Sequence, residues 1–232
     1  MELRLYPARA IWDFSSQDCL KETRAAIDAH CLKWIGFDLN ISVEPGRLYW
    51  IAVKSAAEVY WRYSQHAPTG TVSASRIIRN WSAQKGAYSM RLLPQSRPYE
   101  PENLLSGITR PEAWTNLWIS DPCDGFPQYV EYDFGKAVKF ETIQLIFDTN
   151  LHMAHMSTPA LYRFPECVRH YLIYSEQGGA WKPLVEVTDN YQRRREHRFE
   201  PLSSSKLRIE ILGSNGDPSA RLYEVRVYHQ QD

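Results

Sequence analysis

In KLRIEIL, residues 206–212, charged and apolar side chains alternate from Lys206 to Ile211. The apolar positions of this alternation are Leu207, Ile209 and Ile211, and Leu212 follows them. Because successive side chains of a β-strand point to opposite faces of the sheet, this period of two predicts a strand with one face on a core and the other toward solvent. The stretch therefore favours a sandwich or barrel of antiparallel strands.

Short β-type runs separated by turn residues occur on both sides of this stretch. In the second half we predict strands at Tyr129–Phe134, Phe140–Asp148, Val168–Ser175, Trp181–Val187, Arg195–Phe199, Ser205–Leu212 and Leu222–His229. In the first half we predict them at Glu2–Tyr6, Leu32–Val43, Leu48–Val53, Glu58–Tyr63 and Gly86–Leu93. Cys19–His30 keeps neither period cleanly, so a short helix and a strand both remain open, with strand preferred. The fold class we predict is all-β.

A proline-rich stretch divides the chain. Pro94–Pro101 reads PQSRPYEP, and proline disfavours both helix interiors and central strands because it lacks a backbone N–H. We therefore predict an N-terminal β-sandwich domain over residues 1–93, a linker over residues 94–98 and a second β-sandwich over residues 99–232.

Composition excludes several classes of function. The 232 residues contain 27 Lys and Arg against 27 Asp and Glu, so no net field attracts nucleic acid or an anionic membrane. No apolar run reaches the roughly eighteen residues of a membrane span, and the start, MELRLYPARAIWDFSS, shows no signal peptide. These observations leave the localisation open.

The four cysteines show no C-x-x-C spacing, which argues against a zinc site. They are Cys19, Cys31, Cys123 and Cys167. A Cys19–Cys31 disulfide and isolated, buried thiols both remain open, with the second preferred.

The half after the prolines resembles a known family. Asn103-Leu104-Leu105-Ser106-Gly107, then Trp118, then residues 127–135 (PQYVEYDFG) resemble the opening of a discoidin domain, the galactose-binding-like or coagulation factor 5/8 type C family. Four later stretches resemble the following strands of that family in the same order: residues 139–145, 181–184, 208–211 and 222–228. The resemblance implies a jelly roll that binds carbohydrate through loops at one end of the sandwich, and it suggests an extracellular or cell-surface location.

A narrower resemblance covers both halves. The stretches VEPGRLYWIAV, PENLLSGITRP and GDPSARLYEVRVY resemble the C-terminal region of a group of bacterial FAD-dependent oxidoreductases. The sequence contains no G-x-G-x-x-G fingerprint after a strand, so the flavin-binding part is absent from this chain. This resemblance implies an accessory region that packs on the catalytic domain of a parent protein without a ligand of its own.

The candidate ligand-binding residues lie mainly in one long connection. Residues 148–166 join two predicted strands, and long connections of this kind are often functional. Sugar recognition needs aromatic faces together with polar donors and acceptors. On this basis, with Arg193 from a second hairpin and Trp114 as a stacking face, the candidates are Trp114, Asn150, His152, His155, Tyr162, Arg163 and Arg193.

The Arg193 hairpin also has another interpretation. Residues 193–198 (RRREHR) are rich in basic side chains, as a phosphate-binding patch is. In a strand, however, Arg193, Arg195 and His197 share one face. Arg194 and Arg198 share the other, so the charge divides between the two faces. We therefore expect no nucleic-acid binding.

The discoidin resemblance also implies a structural calcium ion near the first turn. It maps the ligands to Asn103, Ser106, Thr109 and Glu224. The usual Asp of the N-x-x-D-G turn is Ser106 here, which leaves Glu224 as the principal carboxylate, although calcium prefers several hard oxygens including carboxylates. Apart from this possible calcium ion, the sequence implies no cofactor.

No group of side chains in the sequence suggests catalysis. His152 and His155 are three residues apart but have no Asp or Cys beside them that would form a metal or base pair. The sequence therefore predicts a non-catalytic module that recognises carbohydrate. The alternative is the accessory region of a flavoenzyme.

Overall fold

The structure is a computed structural model that describes residues 1–9, 15–27, 32–44, 47–64, 72–77, 80–84, 86–94, 99–110, 116–151 and 162–229. The chain divides into two compact units, Met1–Ser96 and Arg97–Asp232. Within the described ranges the regular structure is β-strand, with a single 3-10 turn of helix, Pro101–Leu105. The predicted all-β class is confirmed. No described helix has the length and apolar character needed to cross a membrane.

The first unit contains short antiparallel sheets. Its strands are β1 (Glu2–Ala8), β2 (Lys21–Arg24), β3 (Leu48–Lys54), β4 (Tyr63–Ser64), β5 (Ser73–Ile77), β6 (Asn80–Gln84) and β7 (Ala87–Tyr88). Strand β1 lies between β2 and β3, while β4 pairs with β7 and β5 pairs with β6. Leu3 and Leu5 of β1 are its buried hydrophobic residues among those described.

Several predicted strands of this unit are wrong. Residues 32–43 form no strand, Glu58–Tyr63 is a strand only at Tyr63, and Gly86–Leu93 is a strand only at Ala87–Tyr88. Exposed and half-buried residues do alternate along residues 34–42, as in a strand. An extended segment becomes a strand only when a neighbour accepts and donates its backbone hydrogen bonds. Residues 32–43 pair with no strand among the described residues, and the other two segments pair with each other over only two residues each, Tyr63–Ser64 and Ala87–Tyr88.

The second unit is built from six antiparallel strands. They are β8 (Trp118–Ile119), β9 (Gln128–Phe147), β10 (Val168–Gln177), β11 (Ala180–Val187), β12 (Arg194–Ser214) and β13 (Arg221–Tyr228), in the order β11-β10-β12-β9-β13-β8. The prediction of two strands over residues 129–148 and of two over residues 195–212 is wrong, because each pair is one long strand.

The long strands β9 and β12 form a ribbon that folds back on itself. Residues 128–133 of β9 pair with 211–206 of β12, residues 138–146 pair with 204–194, and the register shifts between these stretches. Gly135 lies at the fold of the ribbon with φ of +69°, a conformation that residues with a Cβ rarely adopt. The two ends of the ribbon meet, because the ring of Phe147 lies 5.1 Å from that of Tyr171, which pairs with Ile211.

The folded ribbon produces a sandwich of two layers. The first layer contains β11, β10 and the β12–β9 pairing at residues 206–211, and the second contains the other half of the ribbon with β13 and β8. Ile143 and Leu145 of the second layer and Ile209 of the first are fully buried in one core. Burying a side chain of this size stabilises the fold by about 1.5–3 kcal/mol. Trp118 is also in this core.

Trp181, by contrast, lies outside this core. Its ring centroid lies 4.4 Å from the guanidinium carbon of Arg208, which lies 4.9 Å from the ring of Tyr129 on the other side. Arg208 also forms an ion pair with Glu131. These cation–π contacts hold strands of the first layer together.

Candidate functional site

Described residues of four connections meet at one end of the sandwich, which we call the loop end: 120–127, 148–151 with 162–167, 188–193 and 215–220. Both ends of the folded ribbon lie there, since β9 and β12 each begin and end at that side. Ser120 and Ala220 join the first and last connections: the Ser120 amide donates to the Ala220 carbonyl at 3.0 Å, and Ser120 Oγ accepts from the Ala220 amide at 2.9 Å.

Two asparagines fix the other connections to one another. Asn190 is fully buried, and its side-chain Nδ2 donates to the carbonyl oxygens of Val168 at 2.7 Å and Gln192 at 3.1 Å. Asn215 Nδ2 donates to the carbonyls of Cys167 and Asn190, both at 3.0 Å. Because buried amides without partners are costly, this network gives the loops a defined conformation.

An exposed cluster lies on this network. Its members, which we call the Tyr162–Tyr191 cluster, are Tyr162, Arg163, Asp189 and Tyr191. The two tyrosine rings meet edge to face with centroids 5.9 Å apart and an interplanar angle of 75°. The guanidinium carbon of Arg163 lies 5.5 Å from each ring centroid. Tyr162 is 74% exposed and Tyr191 is 43% exposed, so part of each ring is open to solvent.

A bidentate ion pair forms the polar part of the cluster. Arg163 Nη1 donates to Asp189 Oδ1 at 2.6 Å, and Nη2 donates to Oδ2 at 2.8 Å. These hydrogen bonds lower the pKa of the Asp189 carboxyl and raise the pKa of Arg163. The charge of Arg169 lowers the pKa of Asp189 further. Both members of the pair are therefore ionised at neutral pH.

A buried ionic group supports the start of the long connection. Asp148 is fully buried; its Oδ1 accepts from the Asn150 amide at 2.8 Å, and its Oδ2 lies 3.5 Å from Arg221 Nη1. Arg221 also pairs with Asp217 at 2.6 Å. Asn150 Nδ2 donates to Glu166 Oε1 at 2.7 Å, and burial raises the pKa of Glu166. Breaking one buried pair of this kind costs about 3–5 kcal/mol.

The structure brings together only part of the predicted ligand set. Tyr162 and Arg163 belong to the exposed cluster, whereas the side chain of Asn150 contacts Glu166. Arg193 is half-buried, donates to the carbonyl of Thr109 and lies over the ring of Tyr223 with its guanidinium carbon 5.4 Å from the centroid. The other predicted residues, Trp114, His152 and His155, lie outside the described residues.

Sequence reasoning missed Asp189 and Tyr191 as members of this cluster. They lie shortly before residues 193–198, which we interpreted through their basic side chains. The signal that could have found them was the choice of Arg193, which follows them closely in the same hairpin, as a candidate ligand-binding residue. The contact between Arg163 and Asp189 joins residues 26 positions apart.

The residues that the resemblance assigns to calcium do not form a site that fits the ion. The Asn103 side chain donates its Nδ2 to the carbonyl of Leu117 at 3.0 Å. Ser106 Oγ accepts from the amide of Ile108 at 3.2 Å. Asn103 can therefore offer only its amide oxygen and Ser106 only its hydroxyl oxygen, and both are uncharged and weaker calcium ligands than a carboxylate.

The charges beside Thr109 and Glu224 also disfavour a calcium ion at this position. The Thr109 carbonyl accepts a hydrogen bond from the cationic Arg193, so a calcium ion on this oxygen would face a fixed positive charge. The buried Glu224 forms an ion pair with Arg226 at 2.8 Å. Across the described ranges, no three His, Cys, Asp or Glu residues are placed to share a metal ion.

Comparisons with known proteins add a likeness in fold. No protein-family model matches the chain, and no curated protein matches it. A solved structure with a similar fold is the family 32 carbohydrate-binding module from Streptococcus pneumoniae EndoD, which is 16% identical over 59% of this chain and 89% of that one, with a TM-score of 0.47.

Two further structures are similar. The family 32 module from C. perfringens NanJ, in complex with galactose, is 18% identical over 55% of this chain and 82% of that one, with a TM-score of 0.42. Chitosan-binding module 1 of a chitosanase/glucanase from Paenibacillus sp. IK-5 is 14% identical over 70% of this chain and 97% of that one, with a TM-score of 0.43. At these values the likeness identifies no ligand or site residue of this chain.

Proposed function

We propose that the second unit binds carbohydrate without catalysis, through the Tyr162–Tyr191 cluster at its loop end. The observation that carries this proposal is the exposed edge-to-face pair of tyrosines beside the bidentate Arg163–Asp189 ion pair. It combines an aromatic surface with charged hydrogen-bonding groups in one place.

The chemistry of the cluster suits a sugar ring. The C–H face of a pyranose is apolar and packs on an aromatic ring, while its hydroxyl groups need both donors and acceptors. Asp189 supplies carboxylate oxygens as acceptors, and Arg163 supplies N–H donors that Asp189 does not use. Because Asn190 holds the backbone beside both Asp189 and Tyr191, the site is organised before a ligand arrives.

A glycan array with the full chain, followed by calorimetry on the best ligand, tests this proposal. We expect Tyr191→Ala to weaken binding about tenfold or more, since a stacked aromatic ring contributes about 1–2 kcal/mol. Tyr228→Ala is the matched control, because Tyr228 is 44% exposed on β13 and outside the loop end. Equal affinity of the wild type and Tyr191→Ala, or no ligand on the array, would contradict the proposal.

The accessory role in a flavoenzyme is the second candidate. Exposed apolar side chains of the first unit favour it, including Tyr60 at 89%, Leu93 at 83% and Leu32 at 72%. Where such side chains form a contiguous patch, the patch marks a protein interaction site. Hydrogen exchange with and without a flavoprotein catalytic domain tests it: we expect slower exchange in residues 32–44 and 86–94, and unchanged exchange contradicts the role. The resemblance to FAD-dependent oxidoreductases itself stays a prediction.

A further inference from the structure

The Arg163–Asp189 ion pair has a consequence for the charge of the ligand. Both terminal nitrogens of Arg163 point to the two oxygens of a protein carboxylate. This fork-to-fork arrangement is the one by which arginine binds a carboxylate on a ligand. In this cluster, therefore, the protein itself occupies the position that a ligand carboxylate would take.

We propose that Asp189 makes the Tyr162–Tyr191 cluster selective for uncharged sugars and disfavours sugars that carry a carboxylate. This inference rests on the carbohydrate-binding function proposed above. An anionic sugar reaches the Nη1–Nη2 fork of Arg163 only by displacing Asp189. On the N–H groups that the ion pair leaves open, its carboxylate lies close to that of Asp189 and is repelled by it. A neutral sugar meets no such cost, because its hydroxyl groups use the lone pairs and N–H groups that the ion pair leaves open.

The exposure of the pair makes this selectivity adjustable by substitution. The Asp189 side chain is 62% exposed and that of Arg163 is 35% exposed, so removing one charge leaves no buried unpaired ion. Asp189→Asn keeps the size of the side chain and removes its negative charge. Arg163 then carries an uncompensated charge beside the two rings, and Arg169 is the other cation that acts on this position.

The test uses pairs of sugars that differ only at C6: galactose with galacturonate, and glucose with glucuronate. Affinities of the full chain for both members of each pair give a selectivity ratio. We expect the wild type to prefer the neutral sugar, and we expect Asp189→Asn to shift the ratio toward the uronate by about fivefold or more at low salt. The shift should diminish in 1 M NaCl, where charges are screened within about 3 Å.

Asp133→Asn is the matched control. Asp133 is 61% exposed, lies 3.6 Å from Lys206 and is in the ribbon at the other end of the sandwich. Its substitution should leave the ratio unchanged. A wild type that binds the uronate as tightly as the neutral sugar, or an unchanged ratio in Asp189→Asn, overturns this inference but leaves carbohydrate binding in place. If neither member of either pair nor any array glycan binds, the proposed function fails, and this inference fails with it.

Discussion

The side-chain nitrogen of Asn215 lies 3.0 Å from the carbonyl oxygen of Asn190. The two residues belong to different connections at the loop end, and Asn190 directly precedes Tyr191. A hydrogen bond between loops therefore positions an aromatic residue of the candidate site. The surface cluster depends on a buried polar network that makes no contact with solvent at Asn190.

We expect Asn190→Ala to destabilise the second unit by about 2–3 kcal/mol, because the carbonyls of Val168 and Gln192 lose a donor. Carbohydrate binding should weaken as well, since Asp189 and Tyr191 flank the substituted position. Denaturant unfolding and calorimetry measure the two effects. The exposed Asn80 supplies the control, and its substitution by Ala should change stability by about 0.5 kcal/mol or less. An Asn190→Ala variant as stable as the wild type would contradict the positioning role.

Calcium should have no effect on the stability of this protein. The cationic guanidinium of Arg193 already donates a hydrogen bond to the Thr109 carbonyl. We therefore expect the same Tm with added calcium and with a chelator. Arg193→Met should lower the free energy of unfolding by about 1–3 kcal/mol, because the Thr109 carbonyl loses a charge-assisted hydrogen bond.

Arg194→Met serves as the neighbouring control for that experiment. Arg194 points to the opposite face, where it pairs with Glu196 at 3.2 Å with 62% of its side chain exposed. We expect Arg194→Met to lower the free energy of unfolding by about 1 kcal/mol or less. A wild-type Tm that rises by several degrees on adding calcium would show that the ion binds and stabilises the fold.

Acid should destabilise the second unit through His197. Burial, followed by the charge of Arg195, lowers the pKa of His197 from its ordinary 6.5 to about 4. The unfolded chain therefore binds a proton more readily than the folded one, so this contribution to stability is complete above pH 6.5 and is lost as the pH falls from 6.5 to about 4. With a discount for partial exposure, the loss is about 1–2 kcal/mol.

Unfolding free energies of the wild type and His197→Gln across this pH range check the prediction. Tyr171 Oη lies 2.8 Å from His197 Nε2, and glutamine keeps an acceptor for that hydroxyl without a titratable group. The two curves should converge as the pH falls. Parallel curves would mean that His197 does not titrate in this window.

Alternation in the sequence located the strands of the second unit well. At KLRIEIL the apolar residues Leu207, Ile209 and Ile211 are all fully buried, because one face of that strand packs on a large core. The same reasoning failed at residues 32–43, where the described chain supplies no partner strand. Side-chain pattern reports burial on one face, whereas a strand also needs a neighbour with free backbone groups.

The sequence did not show that each pair of strands predicted over residues 129–148 and 195–212 forms one long strand, β9 or β12. Strand β12 continues through the bend of the ribbon because its pairing with β9 changes register there instead of ending. The register shifts lie between Arg198 and Leu202 and between Ser204 and Lys206. Register is a property of two strands together, and each strand alone contains only half of the information.

By itself, the sequence determined the all-β class and the strand pattern of the second unit, because side-chain alternation and turn residues act locally. It also indicated Tyr162 and Arg163 through the composition of one long connection. Only the tertiary structure decided that Asp189 and Tyr191 complete their cluster and that Arg193 contacts Thr109 instead. Contacts between residues 26 and 84 positions apart depend on how the ribbon folds, and no local pattern encodes that.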